Sequence, residues 1–271
     1  MTAQTMDRYP KRIVCLTEET TETLYLLGAQ DRIVGISGFT QRPIQARREK
    51  PIVSAFTSAD LPKIAALRPD LVLAFSDLQA EIVRDLIKAG FNVLTFNQRS
   101  VQEILSMIAQ LGALVGRVDA ATALIEELTL NLARAEDSAR ELPVRPRVYF
   151  EEWPDPLIAG IRWVSELVEI AGGEDIFAEL RAQPGATGRI VQAHEIAARD
   201  PQLILASWCG KMVKPERIRA RPALASTAAI RADRIVEVKS TLILQPGPAA
   251  LSDGLAALVA AIGDCARSLA G

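Results

Sequence analysis

Aromatic side chains are scarce here: Phe, Trp and Tyr make up 5% of the 271 residues. Cysteine is scarcer still. Cys15, Cys209 and Cys265 are scattered, with no CxxC spacing, which argues against a disulfide framework or a zinc site. An excess of positive charge is missing too. The 31 Lys and Arg against 33 Asp and Glu leave a net charge of -2, so no basic field points to nucleic acid. No apolar run approaches the roughly 20 residues of a membrane span. A nucleophile elbow, a P-loop, a GxGxxG fingerprint and a metal-ligand cluster are all absent, which makes an enzyme the minority reading. The opening residues Met1 to Arg12 lack the apolar h-region of a signal peptide. A cytoplasmic protein is therefore expected, the alternative being a periplasmic one whose signal has been removed.

What is present alternates between two periodicities. Short apolar runs suited to buried strands occur at 12–16, 33–36, 71–75, 93–96, 147–150, 203–206 and 235–238. Helical patterns lie between them, and residues 40–59 read as a basic loop. Such alternation predicts an α/β fold with parallel sheets covered by helices. The longest helical pattern runs from Arg117 to Leu142, with Asp119 as the expected N-cap and Pro143 and Pro146 as the stop. At 1.5 Å per residue it spans about 36 Å. It divides the chain into an N-terminal lobe (11–116), a connecting helix (117–142) and a C-terminal lobe (143–271).

The two lobes resemble each other. Ile64-Ala-Ala-Leu-Arg-Pro-Asp-Leu-Val-Leu-Ala74 recurs 132 positions later as Ile196-Ala-Ala-Arg-Asp-Pro-Gln-Leu-Ile-Leu-Ala206. Glu22, Gly28 and Asp31 recur 144 positions later as Glu166, Gly172 and Asp175. Internal duplication follows.

Leu16-Thr-Glu-Glu-Thr-Thr-Glu22, Gly28, Arg32-Ile-Val-Gly-Ile36 and Asp60 to Leu73 resemble the signature of helical-backbone metal-chelate receptors. These are the class III periplasmic-type solute-binding proteins of ABC importers for vitamin B12, haem and siderophores. The likeness covers about residues 11–265 and is strongest to the vitamin B12 (cobalamin) branch. It implies two Rossmann-like lobes joined by one long helix, a ligand held in the cleft between them, and aromatic rings around it. At the matching positions stand Phe39, Phe56 and Phe75 in the first lobe and Trp153 in the second, with Trp163 and Trp208 nearby. A flat, partly apolar macrocycle needs such walls.

Two departures qualify the resemblance. Receptors of this kind dock on their permease through one glutamate per lobe, and those positions hold Pro62 and His194, with Asp60 and Glu195 as neighbouring substitutes. The second departure is acidic: Glu18 and Glu19 follow the first strand of one lobe, Glu151 and Glu152 that of the other. Carboxyl ends of strands are where α/β sheets bind ligands, so these residues are candidates to meet corrinoid amides or a cation. Alternatively they cap helices, or pair with Arg162 and Arg189. Cys209 is a weak metal-ligand candidate. The reading expected is a non-catalytic, monomeric corrinoid-binding protein with a possible ABC permease partner. A receptor for haem or a siderophore is the alternative, and an enzyme of corrinoid or metal-chelate metabolism stands behind both.

Overall fold

A computed structural model of the chain describes residues 8–271. Met1 to Asp7, most of the polar lead on which the export argument turned, lie outside the described residues. The chain forms two compact units: one runs to Gln98 and resumes at Leu105–Glu126, and the other takes Arg99–Ile104 and Glu127–Gly271.

In the first unit the elements run β1 (Ile13–Cys15), α1 (Glu18–Leu26), β2 (Ile33–Ser37), α2 (Ala46–Glu49), β3 (Ile52–Ala55), β4 (Ser58–Ala59), α3 (Leu61–Ala66), β5 (Leu71–Phe75), α4 (Ala80–Lys88), β6 (Val93–Phe96) and most of α5 (Val101–Leu114). The sheet order is β4-β3-β2-β1-β5-β6, parallel except for β4. β1 and β5 lie inside the sheet with every residue buried, as expected of strands covered on both faces. Val14, Leu16, Val53, Ile64, Val72, Ala74 and Leu86 form the core on one side of it. The stretch 40–59, read as a loop, contains α2, β3 and β4. β3 is short and carries exposed Ile52 and Ala55, so neither a buried run nor clean alternation marks it.

α6 (Val118–Arg140) is the predicted long helix, about 35 Å at 1.5 Å per residue. Asp119 falls inside its first turn rather than at the N-cap, because the amide of Ala121 already bonds the Arg117 carbonyl.

The second unit contains β7 (Arg147–Pro154), β8 (Leu157–Ala159), α7 (Arg162–Ile170), β9 (Glu174–Asp175), α8 (Ala193–Arg199), β10 (Leu203–Ala206), α9 (Pro215–Arg219), α10 (Ala228–Arg231), β11 (Ile235–Glu237), α11 (Ser240–Ile243) and α12 (Leu255–Ala270). Its sheet order is β11-β10-β7-β8, with β9 also on β7. The pairing is mixed: β7 is parallel to β10 and β9 but antiparallel to β8. β7 was expected to end at Phe150, yet it continues through Glu151, Glu152 and Trp153 into a hairpin.

The duplication is visible in atomic detail. The Arg12 guanidinium donates to the carbonyls of Leu67 and Arg68, and that of Arg147 donates to the carbonyls of Arg199 and Asp200. Arg68 (φ 46°) and Asp200 (φ 42°) both adopt the left-handed conformation before a proline. α1 and α7 end alike, at Gly28 (φ 65°) and Gly172 (φ 92°). In each case the next amide reaches back, Ala29 to Leu24 and Gly173 to Val168, which satisfies helix-terminal carbonyls.

Candidate functional site

At the carboxyl ends of the first unit's strands, backbone turns hold the rings. Phe39 follows β2 and is 49% exposed. Phe56 sits with Thr57 in the two-residue turn between β3 and β4, where Ala55 pairs with Ser58, and is half-buried. Phe75 ends β5 and is buried. The next residue, Ser76, has φ 59° and ψ 179°, a conformation that glycine alone adopts freely. Forcing a serine into it costs about 1–3 kcal/mol. Its amide bonds the Phe96 carbonyl at 2.7 Å, and its hydroxyl accepts the Leu78 amide at 3.3 Å.

Beside these rings lie buried acids at the start of α1. The sequence places Glu18 and Glu19 in its first turn, where the helix dipole favours negative charge. Both are almost fully buried all the same. Neither oxygen of Glu18 has a hydrogen bond of full geometry. Burial raises its pKa from 4.5 to about 8, with the amides of Gln41 and Arg42 pulling back and Glu22 and Glu19 pushing further up. Glu18 is therefore largely a neutral carboxylic acid at pH 7. Glu19 accepts a hydrogen bond from the Thr17 hydroxyl at 2.5 Å, and burial lifts its pKa to about 7. Glu22 forms an ion pair with Arg42 at 2.8 Å.

The second unit handles its acids differently. Glu151, on β7, is wholly buried and receives both terminal nitrogens of Arg221, one at 3.0 Å, and the indole of Trp208 at 3.1 Å. Glu152 is gripped by Arg189 at 2.6 and 2.9 Å and accepts the Ile161 amide at 2.9 Å. Arg189, 1% exposed, is thus the partner foreseen from sequence, whereas Arg162 pairs with Glu166. Arg221 was not foreseen. It lies 70 residues from Glu151 in an arginine-rich stretch without any pattern that singles it out.

The tryptophans divide in the same unit. Trp163 is buried with its indole bonded to the Ile243 carbonyl, and Trp208 is buried against Glu151, so both serve the core. Trp153 is half-buried, its indole bonded to Asp155 and the Lys211 ammonium 4.2 Å from its ring centre. Cys209 is an exposed residue, yet surrounding atoms and the Glu152 charge hold its thiol above the ordinary pKa, which disfavours the thiolate a metal requires. Among the described residues no group of three or more His, Cys, Asp or Glu side chains is gathered for a metal ion. His194 is exposed near the start of α8. Asp60 N-caps α3 through the Lys63 amide, and Glu195 accepts the Gln192 amide before α8, so both neighbours of the docking positions already hold helix starts.

Comparison with known proteins agrees with this architecture. A cobalamin-binding protein of Halobacterium salinarum is 27% identical over 91% of this chain and 68% of its own length. A substrate-binding lipoprotein of an ABC transporter from Bacillus subtilis is 25% identical over 90% of this chain and 77% of its own. A periplasmic haem-binding protein of Roseiflexus shares the fold, with a TM-score of 0.81, 22% identity, and coverage of 94% of this chain and 99% of that one. These findings overturn the expected cytoplasmic location. The expectation rested on an opening stretch without an apolar h-region, whereas the similar proteins are a lipoprotein and a periplasmic receptor. They also set the enzyme reading aside, since fold and relatives are those of non-catalytic substrate-binding proteins. The periplasmic binding protein family matches residues 13–242, and this chain belongs to it.

Proposed function

We propose that the protein binds a cobalamin-like corrinoid and presents it to an ABC permease. The observation that carries this reading is the surface at the strand ends of the first unit, where Phe39 and Phe56 present rings beside a buried carboxylic acid whose oxygens make no hydrogen bond of full geometry. Exposed rings suit the flat, partly apolar corrin. A neutral acid suits its amide side chains, because a carboxylic acid both donates and accepts. The propionates of haem or an anionic ferric siderophore need cations instead. Arg189 and Arg221 are already bound to Glu152 and Glu151. The name of the Halobacterium relative supports the same ligand. In this reading Phe39, Phe56, Phe75 and Trp153 supply ring contacts, Glu18 and Glu19 polar ones, and Glu151, Glu152, Trp163 and Trp208 hold the second unit's binding loops in place.

Titration calorimetry with cyanocobalamin, hydroxocobalamin, cobinamide and haemin tests it. A corrinoid should bind at micromolar concentration or below, and Phe56→Ala should weaken it by about tenfold, the range of a lost aromatic contact. Uptake of haemin with no corrinoid bound would replace this reading with a haem receptor.

A further inference from the structure

Below Phe56 and Phe75 lies a side chain that neither the sequence motifs nor the comparisons mark. Gln79 is 0% exposed and ends the short 3-10 turn that follows Ser76. Its Oε1 accepts the Phe75 amide at 2.9 Å. Its Nε2 donates to the Phe56 carbonyl at 2.9 Å and, more weakly, to the Leu16 carbonyl at 3.4 Å. One carboxamide thus joins the carboxyl ends of β1 and β5 to the tip of the β3–β4 turn. A carboxamide suits this place because its oxygen accepts while its NH2 donates twice from the same end of the side chain.

The turn depends on that bond. β3 and β4 pair over Ser54–Ala59 and Ala55–Ser58 alone, too few rungs to stiffen a hairpin. The strained conformation of Ser76 points the same way. Strain of this kind persists where surrounding structure enforces it, and it gathers at functional sites. Here it reverses the chain after β5, and the Gln79 amide bonds the Ser76 carbonyl at 3.3 Å.

We propose that Gln79 is a positioning residue: by fixing the Phe56 carbonyl and the Phe75 amide, it sets the register in which the two rings meet a planar ligand. This rests on the reading of those rings as ligand contacts.

The test is a double-mutant cycle with Gln79→Met and Phe56→Ala, read by calorimetric titration of cyanocobalamin. Gln79→Met should weaken binding at least tenfold. In the Phe56→Ala background its effect should shrink at least threefold, because only Phe75 is left for it to position. Wild-type affinity in Gln79→Met, or losses that multiply in the double variant, would overturn the proposal. Should Gln79→Met not fold, Gln79→Glu takes its place in the cycle, keeping the acceptor for Phe75. Hydrogen exchange of residues 55–58 decides independently of any ligand. Faster exchange there with β1 and β5 unchanged supports positioning, and unchanged exchange refutes it. If wild-type protein takes up no cyanocobalamin, the corrinoid reading fails while the exchange experiment still decides on Gln79.

Discussion

Each unit carries acidic residues after its first strand's apolar core, and the two treat them in opposite ways. In the second, Glu151 and Glu152 are each matched by an arginine, and their remaining hydrogen-bonding capacity is met by an indole and an amide. In the first, Glu22 has Arg42, Glu19 has a hydroxyl, and Glu18 has nothing of full geometry. The same residue type therefore plays different parts. A buried carboxylate with its arginine is internal structure, whereas a buried acid without one keeps its proton.

The sharpest way to break this contrast is Arg221→Met. It strands a fully buried charge, and chemical denaturation should show a loss of about 3–5 kcal/mol, the usual result of removing one partner of a buried pair. Replacing Glu151 with Leu in the same variant should restore much of it. A loss below about 1 kcal/mol would mean that Glu151 is not held as the pairing implies.

An effect of comparable size and opposite sign is expected of Glu18→Gln. The folded-state pKa of Glu18 is raised from 4.5 to about 8. The folded chain thus keeps a proton that the unfolded chain releases, so its stability contribution is full below pH 4.5 and is lost as pH rises towards 8. At pH 8 the Gln variant should exceed wild type by about 4 kcal/mol, and at pH 4.5 the gap should close. Equal stability of the two proteins at pH 8 would show that Glu18 carries no burial penalty. The smallest expected change compares the repeated helix starts. Asp60→Ala should cost about 1 kcal/mol and Glu195→Ala about 0.5 kcal/mol in thermal unfolding, since Asp60 is a true N-cap and Glu195 reaches back from within α8.

How far the sequence could be read follows the same division. Strands such as β5 and β10, wholly apolar and flanked by helix signals, were legible because burial on both faces leaves no polar position to confuse the pattern. The duplication was legible from identities alone, although the paired guanidinium clamps of Arg12 and Arg147 were not. β7 was cut short because two glutamates read as the end of a strand. They lie within it because Arg189 and Arg221 arrive from distant parts of the chain, and no local pattern encodes that meeting. The rings of Phe39, Phe56 and Phe75 were picked out by the family resemblance, at positions matching its aromatic ligand contacts. Gln79 was not, because a single polar residue at the start of a helix gives no hint that three backbone groups converge on it.

The boundary between the two units, at Glu126 and Glu127, falls in the middle of α6. Most domain junctions are exposed linkers that tolerate nicks, insertions and separation. Here a cut would sever a continuous hydrogen-bond ladder and leave four carbonyls and four amides without intrahelical partners. The halves repeat the same sequence pattern, yet neither is a module in the practical sense. To make either alone, a designer would have to supply a full copy of the helix to each half.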